Sequence, residues 1–186
     1  MNQVDQAAIL RQLADEAALR QLNFLWCRGA DRGDMAILRG LFHDDAVIDF
    51  GSLYNGPIDG FFAGNEDMAA QRIGFLAAMH IIMNMLFVIE GDQADGEIYS
   101  LALEEYGDPH PQLQAVGGRL LDHYERRDGI WRIASRRYVS DIKTHLPGMN
   151  DAITDPLKNV DLWGRAQDRS DPSYQLTLLA KLGAAG

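Results

Sequence analysis

The stretch that decides the fold is Leu120–Tyr138, LLDHYERRDGIWRIASRRY. Asp128-Gly129 sits at its centre, and Asp-Gly is the residue pair that a tight hairpin asks for, because both central positions need positive φ. On either side the residues alternate. Val116, Gly118, Leu120 and Asp122 share one face of the incoming strand. Arg136, Tyr138 and Ser140 share one face of the outgoing strand, and Arg137, Val139 and Asp141 share the other. The spacing predicts strands over 114–126 and 130–143. Working back toward the N-terminus, GDPHPQ (107–112) and GDQADG (91–96) read as turns, which bound strands over 97–106 and 81–90. Three successive hairpins predict a curved antiparallel sheet.

The first third reads differently. Ile9, Leu13, Ala17, Leu22, Leu25 and Trp26 recur at helical spacing and predict a helix over 5–32. Asp34 is a candidate cap for a short helix over 35–41. Phe42 to Asp45 reads as a turn, 46–50 as a short strand, and the Gly/Asn/Pro-rich segment to Pro57 as a loop. Asn65 is a candidate cap for a third helix over 66–78. Helices first and strands last define an α+β domain. The reading divides the chain into a domain over 1–145 and an extension over 146–186. The extension contains a helix-like 174–182 but no core of its own, so it is expected to pack on the domain or on a neighbouring subunit.

The bulk numbers narrow the function classes. The 186 residues carry a formal net charge of −10 at pH 7. That opposes nucleic-acid binding and an electrostatic membrane anchor, both of which need basic patches. No apolar run is long enough to span a bilayer, and the acidic N-terminus is not a secretory signal. Cys27 is the single cysteine, so a reducing, cytoplasmic setting is expected. The five histidines show no metal-ligand spacing and no nucleotide fingerprint is present, so neither a metal nor a cofactor is expected.

Two polar residues in apolar surroundings carry the candidate chemistry. Asp31 closes the first helix in LNFLWCRGADRGD, and His80 interrupts FLAAMHIIMNMLFVIE. An acid and an imidazole together make a general acid–base pair. Asp31 could equally be a loop acid paired with Arg28 or Arg32, and His80 a satisfied core histidine. Alternation places His80, Ile82, Asn84 and Leu86 on one face. Arg136 either points inward to an acid or an anionic intermediate, or belongs to an outward arginine ladder. Cys27 lies on an apolar helix face, where an inert thiol is usual.

GADRGD, LRGLFHDDAVIDF, the YNGPIDGF loop, the strand opening with His80, and LLDHYERRDGIWRIASRRY together resemble the SnoaL-like branch of the nuclear-transport-factor-like superfamily, over roughly residues 8–145. The resemblance implies a cone: a curved antiparallel sheet wrapped around N-terminal helices, a cystatin-like α+β barrel, with a deep pocket. Within that superfamily the chain looks most like cofactor-independent lyases, namely scytalone dehydratase, bile-acid dehydratase and hexachlorocyclohexane dehydrochlorinase. By position, Asp31 and His80 match their Asp–His dyad and Arg136 matches the pocket arginine of the dehydrochlorinase. The expected activity is elimination or isomerisation of a small hydrophobic ring compound. Trp26, Phe50, Tyr54, Leu101, Leu103, Val116, Leu120 and Tyr138 would line the pocket, and Asn84 and Ser140 would orient a polar group. The alternatives are a non-catalytic module for a small hydrophobic ligand and a dioxygenase small-subunit-like protein. A homo-oligomer, dimer or trimer, is expected from the same resemblance.

Overall fold

A computed structural model describes residues 6–71, 75–108, 111–147 and 170–176. In chain order it has helix α1 (Gln6–Arg32), helix α2 (Met35–Gly40), strand β1 (Phe42–Asp49), strand β2 (Asn55–Pro57), helix α3 (Ile58–Gln71), and strands β3 (Phe75–Glu90), β4 (Gln93–Tyr106), β5 (Gln112–Arg127) and β6 (Ile130–Pro147), followed by a 3-10 turn over Pro172–Gln175. One six-stranded sheet runs in the order β2-β1-β6-β5-β4-β3.

The hairpin at the centre of Leu120–Tyr138 forms as its sequence dictates. Asp128 and Gly129 adopt φ of 52° and 79°, and β5 pairs antiparallel with β6 along its length. The β3–β4 and β4–β5 pairs are antiparallel too. The β1–β6 pair is parallel, so the sheet is mixed. Register shifts at Ile82/Met85, Gly117/Gly118 and His123/Tyr124 mark irregularities that bend long strands. The result is the curved cone-type sheet with N-terminal helices against its inner face.

Several elements differ from their sequence reading. Phe42 to Asp45 is the start of β1 rather than a turn, because Phe42 and His43 are both buried and the His43 Nε2 bonds the Glu125 carbonyl at 2.9 Å. Helix α3 begins at Ile58, directly after Pro57, so Asn65 falls inside it rather than capping it. The strand bearing His80 begins at Phe75, where a helix end was expected. The apolar run FLAAM is compatible with either form, and thirteen Cα pairs with β4 settle it as strand. Leu176 has extended φ and ψ of −77° and 106°, so no helix runs through 174–176. The remainder of 177–182, and most of the 146–186 extension, lies outside the described residues.

Helix α1 is rotated by polar anchors. Ile9 and Leu13 are exposed, while Asp15, Leu19, Asn23 and Gly29 are buried. Asp15 accepts from the Trp131 indole at 2.8 Å and from Arg126 at 2.6 Å, which ties α1 to the β5–β6 hairpin. Leu19 then packs with Phe42, Ile48, Ile98, Leu120, Tyr124 and Ile133 in the core.

Candidate active site

The inner stripe of α1 runs Leu19, Asn23, Cys27, Asp31, at four-residue spacing. Asn23 and Asp31 hold two separate polar centres. Eight residues of helix part them, about 12 Å along the axis.

At one end lies the dyad. The Asp31 Oδ1 accepts from both the backbone N–H and the ring Nδ1 of His80, at 2.9 and 2.7 Å. Both side chains are partly covered, 17% exposed for Asp31 and 27% for His80. A carboxylate oxygen can only accept, so the neutral imidazole carries its proton on Nδ1 and presents a bare Nε2. The Nε2 has no hydrogen-bond partner among the described residues. Across the sheet, His80 faces Ala102 and then Val116, both small and apolar.

At the other end lies Arg136, whose side chain is fully buried. Its Nε and Nη2 donate to the two Asp122 oxygens at 2.7 and 2.6 Å, and Nη2 also donates to Asn23 at 2.9 Å. The Tyr124 hydroxyl donates to Asp122 at 2.5 Å and accepts from Asn23 at 2.9 Å. Burial, and then the Asp122 charge, push the Tyr124 hydroxyl well above its ordinary range. Burial works against the Arg136 charge, but the Asp122 carboxylate outweighs it and the group stays cationic. The guanidinium lies 4.7 Å from the Trp26 ring centroid, and Nη1 is buried with no hydrogen-bond partner. The group is therefore inward-facing and paired with Asp122, and it makes no hydrogen bond to Asp31.

Cys27 sits between the two centres. Burial, reinforced by the Asp31 charge and partly offset by Arg136, pushes its thiol up to about 12, so it is a neutral, inert lining group. An aromatic arc runs on from Trp26 to Tyr138. Trp26 packs edge-on against Phe42, Phe42 against Phe62, Phe62 against Phe61, Phe61 against Phe50, and Phe50 against Tyr138, with centroids 5.4–6.2 Å apart.

The other expected lining residues separate by register. Val116, Leu120, Tyr138 and Ser140 share the His80 face through the β4–β5–β6 pairing. Leu101 and Leu103 pair with Ile81 and Met79, so they fall on the opposite, outer face and do not meet the dyad. The irregularity between Ile82 and Met85 breaks the expected alternation, so Met85 and Phe87 take the inner positions while Asn84 and Leu86 are exposed. Tyr54 packs its ring on Phe61 and donates its hydroxyl to the Pro57 carbonyl at 2.6 Å, bracing its own loop. A groove of about 620 Å³ has Leu86, Val88, Leu121 and Arg137 in its lining and also touches Asp122 and Arg136, but neither Asp31 nor His80 lines it. Sequence reading missed Asn23, Tyr124, Phe42, Phe61 and Phe62, and left Asp122 open. The four-residue stripe through Asp31 was the available signal for Asn23. No group of three or more metal-ligating side chains occurs among the described residues, and no helix among them is long and apolar enough to cross a membrane.

Comparison with known proteins agrees with this architecture. The model of the SnoaL-like domain matches residues 11–137, so the chain belongs to the SnoaL-like family. Among solved structures it is similar to a type 2 hexachlorocyclohexane dehydrochlorinase (LinA), at 23% identity and a TM-score of 0.67, over 79% of this chain and 97% of that one. It is also similar to a candidate scytalone dehydratase from Novosphingobium aromaticivorans, at 19% identity and a TM-score of 0.64, over 77% and 96% of the two chains. A third is the β subunit of a candidate aromatic-ring-hydroxylating dioxygenase from the same organism, at 19% identity and a TM-score of 0.58, over 72% and 92%. No curated protein sequence matches the chain. At these identities the structural likeness speaks for the fold.

Proposed function

We propose that the protein is a cofactor-independent lyase or isomerase that acts on a small hydrophobic ring compound through Asp31 and His80. The observation that carries this reading is the 2.7 Å contact between the Asp31 Oδ1 and the His80 Nδ1, with no partner for Nε2 among the described residues. Neutral His80 takes a carbon-bound proton on Nε2, and Asp31 fixes the tautomer and stabilises the imidazolium that forms. In an elimination, the C–H electron pair becomes the new π bond as a leaving group departs from the neighbouring carbon. In an isomerisation, the imidazolium returns the proton at another carbon. Arg136 lies fully buried behind Trp26 and Phe42 and is paired with Asp122, so it acts as a fixed positive charge that favours the negative charge developing on the substrate. The aromatic arc from Trp26 to Tyr138 supplies the apolar wall.

His80→Ala and Asp31→Asn should each lower turnover by about 10²- to 10⁴-fold, with little change in melting temperature because both side chains are partly exposed. The substrate is sought with a panel of ring compounds, followed by mass analysis for loss of water or acid. If a confirmed substrate is turned over at the wild-type rate by both variants, the reading is wrong. A compound that binds and always emerges unchanged favours the ligand-binding alternative. The homo-oligomer expected for such a chain is a matter for light scattering in solution.

A further inference from the structure

The C-terminal segment Ser170–Leu176 lies against the last turn of α1, the turn that carries Asp31. Asp171 is buried and caps the 3-10 turn, accepting from the Ser173 backbone N–H at 3.0 Å and from its hydroxyl at 2.5 Å. Arg32 donates from Nε to Asp171 at 3.3 Å and to the Ser173 Oγ at 3.0 Å. Arg28 donates to the same Oγ at 3.3 Å and stacks 4.7 Å from the Tyr174 ring centroid. The Tyr174 hydroxyl donates to Asp34 at 2.5 Å, the residue that caps α2. The segment is therefore a hook that engages two arginines and the loop that follows them.

Those arginines stand three residues before and one residue after Asp31. Arg28 is positioned on the neighbouring helical face, at a spacing where carboxylate and guanidinium usually pair. Its Nε and Nη2 are buried and make no hydrogen bond, a costly condition for a guanidinium. A planar fork with idle donors suits a carboxylate, which it can meet with two parallel hydrogen bonds. If either guanidinium turned to Asp31, it would draw on the carboxylate that holds the His80 Nδ1 and weaken that bond.

We propose that Asp171, Ser173 and Tyr174 are positioning residues for the dyad: by engaging Arg28 and Arg32 they keep both guanidinium groups off Asp31, which is then able to fix the Nδ1–H tautomer of His80. The proposal rests on the reading of Asp31 and His80 as a dyad.

The test is nitrogen-15 NMR of the His80 ring in the full chain at one neutral pH, with the signals assigned by their absence from His80→Gln. It needs no substrate. The wild-type ring is expected with Nδ1 protonated and Nε2 bare. In Asp171→Ala/Ser173→Ala/Tyr174→Phe that signature should be lost in favour of a mixed or Nε2–H ring. Adding Arg28→Gln and Arg32→Gln to the hook variant should restore it, although more contacts have been removed. Asp171→Asn and Tyr174→Phe, each close in shape to the native residue, give the same test if the triple variant does not fold. A hook variant that keeps the wild-type signature overturns the proposal. So does a folded hook variant whose signature is not restored by removing the arginines, because the hook then acts only as general support. A wild-type ring without Nδ1–H overturns the dyad itself and the hook with it. A wild-type ring with Nδ1–H, alongside full turnover by His80→Ala, removes the proposed chemistry and leaves the hook's effect on the ring standing.

Discussion

At the scale of single residues, the two polar centres on α1 obey different physics. His80 and Asp31 keep some contact with solvent and need little from the core. Arg136 is held where an unpaired charge would be severely penalised, and its stability depends on Asp122. Removing one member of such a pair costs about 3–5 kcal/mol, whereas replacing both with apolar groups of similar volume is often nearly neutral. Arg136→Met leaves Asp122 buried with Tyr124 as its remaining close donor, so it should lose stability in that range. Arg136→Met/Asp122→Leu should recover most of the loss. Urea unfolding of the three chains checks this, and a single variant that loses less than about 1 kcal/mol would contradict the buried pair. The double variant also separates stability from chemistry. It should fold and yet lack the buried positive charge that the proposed reaction draws on.

At the scale of elements, the irregularities in the long strands decide which side chains meet the dyad. Gly118 marks one of them. A Cβ there would lie 2.2 Å from the Val139 carbonyl oxygen and 2.7 Å from the Tyr138 hydroxyl. The first is backbone and cannot move aside without disturbing the β5–β6 ladder. At Gly117 the nearest atoms would be 3.8 Å away, an ordinary contact. Gly118→Ala should therefore cost about 1–3 kcal/mol, while Gly117→Ala should stay within about 0.5 kcal/mol of wild type. Thermal unfolding of the two variants side by side checks the contrast, and equal losses would mean that the irregularity is not fixed by Gly118. The same feature explains what the sequence could and could not disclose. Local signals named the hairpins, the α1 helix and the Asp34 cap, because turn chemistry and capping act over a few residues. Strand alternation failed at Asn84 and Leu86, because a register shift between Ile82 and Met85 is invisible to a period of two. It gave no guide at Leu101 and Leu103, whose face is set by pairing with β3 rather than by their own apolarity. The parallel β1–β6 pair was hidden for a related reason: it joins segments far apart in the chain, and no local pattern encodes it. Asp31 and His80 were legible through family resemblance. Asn23 and Asp122, which hold Arg136, depend on a contact between α1 and two strands. The hook depends on residues some 140 positions from the arginines it engages.

At the scale of the whole molecule, charge and apolar surface oppose one another. The outer face of β3 exposes Met79, Met83, Leu86 and Val88, and Ile142 of β6 is exposed on the same sheet. At pH 7 a formal net charge of −10 opposes association beyond any native oligomer through such surfaces. That repulsion vanishes near the pI of about 4.8, whereas the apolar surface does not change. Whether the fold survives there depends on the carboxylates. Asp45 is held below its ordinary 3.8 by Arg127, Asp49 by the Gly51 N–H and then Arg137, and Asp141 by Arg119. A carboxylate lowered on folding stabilises the fold above its ordinary value and loses that contribution as pH falls through the lowered one. These three groups thus continue to support the fold at pH 4.8 and begin to fail only below about 3.8. Lowering the pH from 7 to 4.8 should therefore raise light scattering while near-ultraviolet circular dichroism stays native, and returning to pH 7 should reverse the change. Added salt at pH 7 should produce a weaker version of the same rise, because it screens repulsion beyond a Debye length of about 8–10 Å. Flat scattering down to the pI would show that the outer sheet face does not drive association. Scattering accompanied by loss of the near-ultraviolet signal would instead mean that the fold yields first, and that carboxylates other than these three control its acid limit.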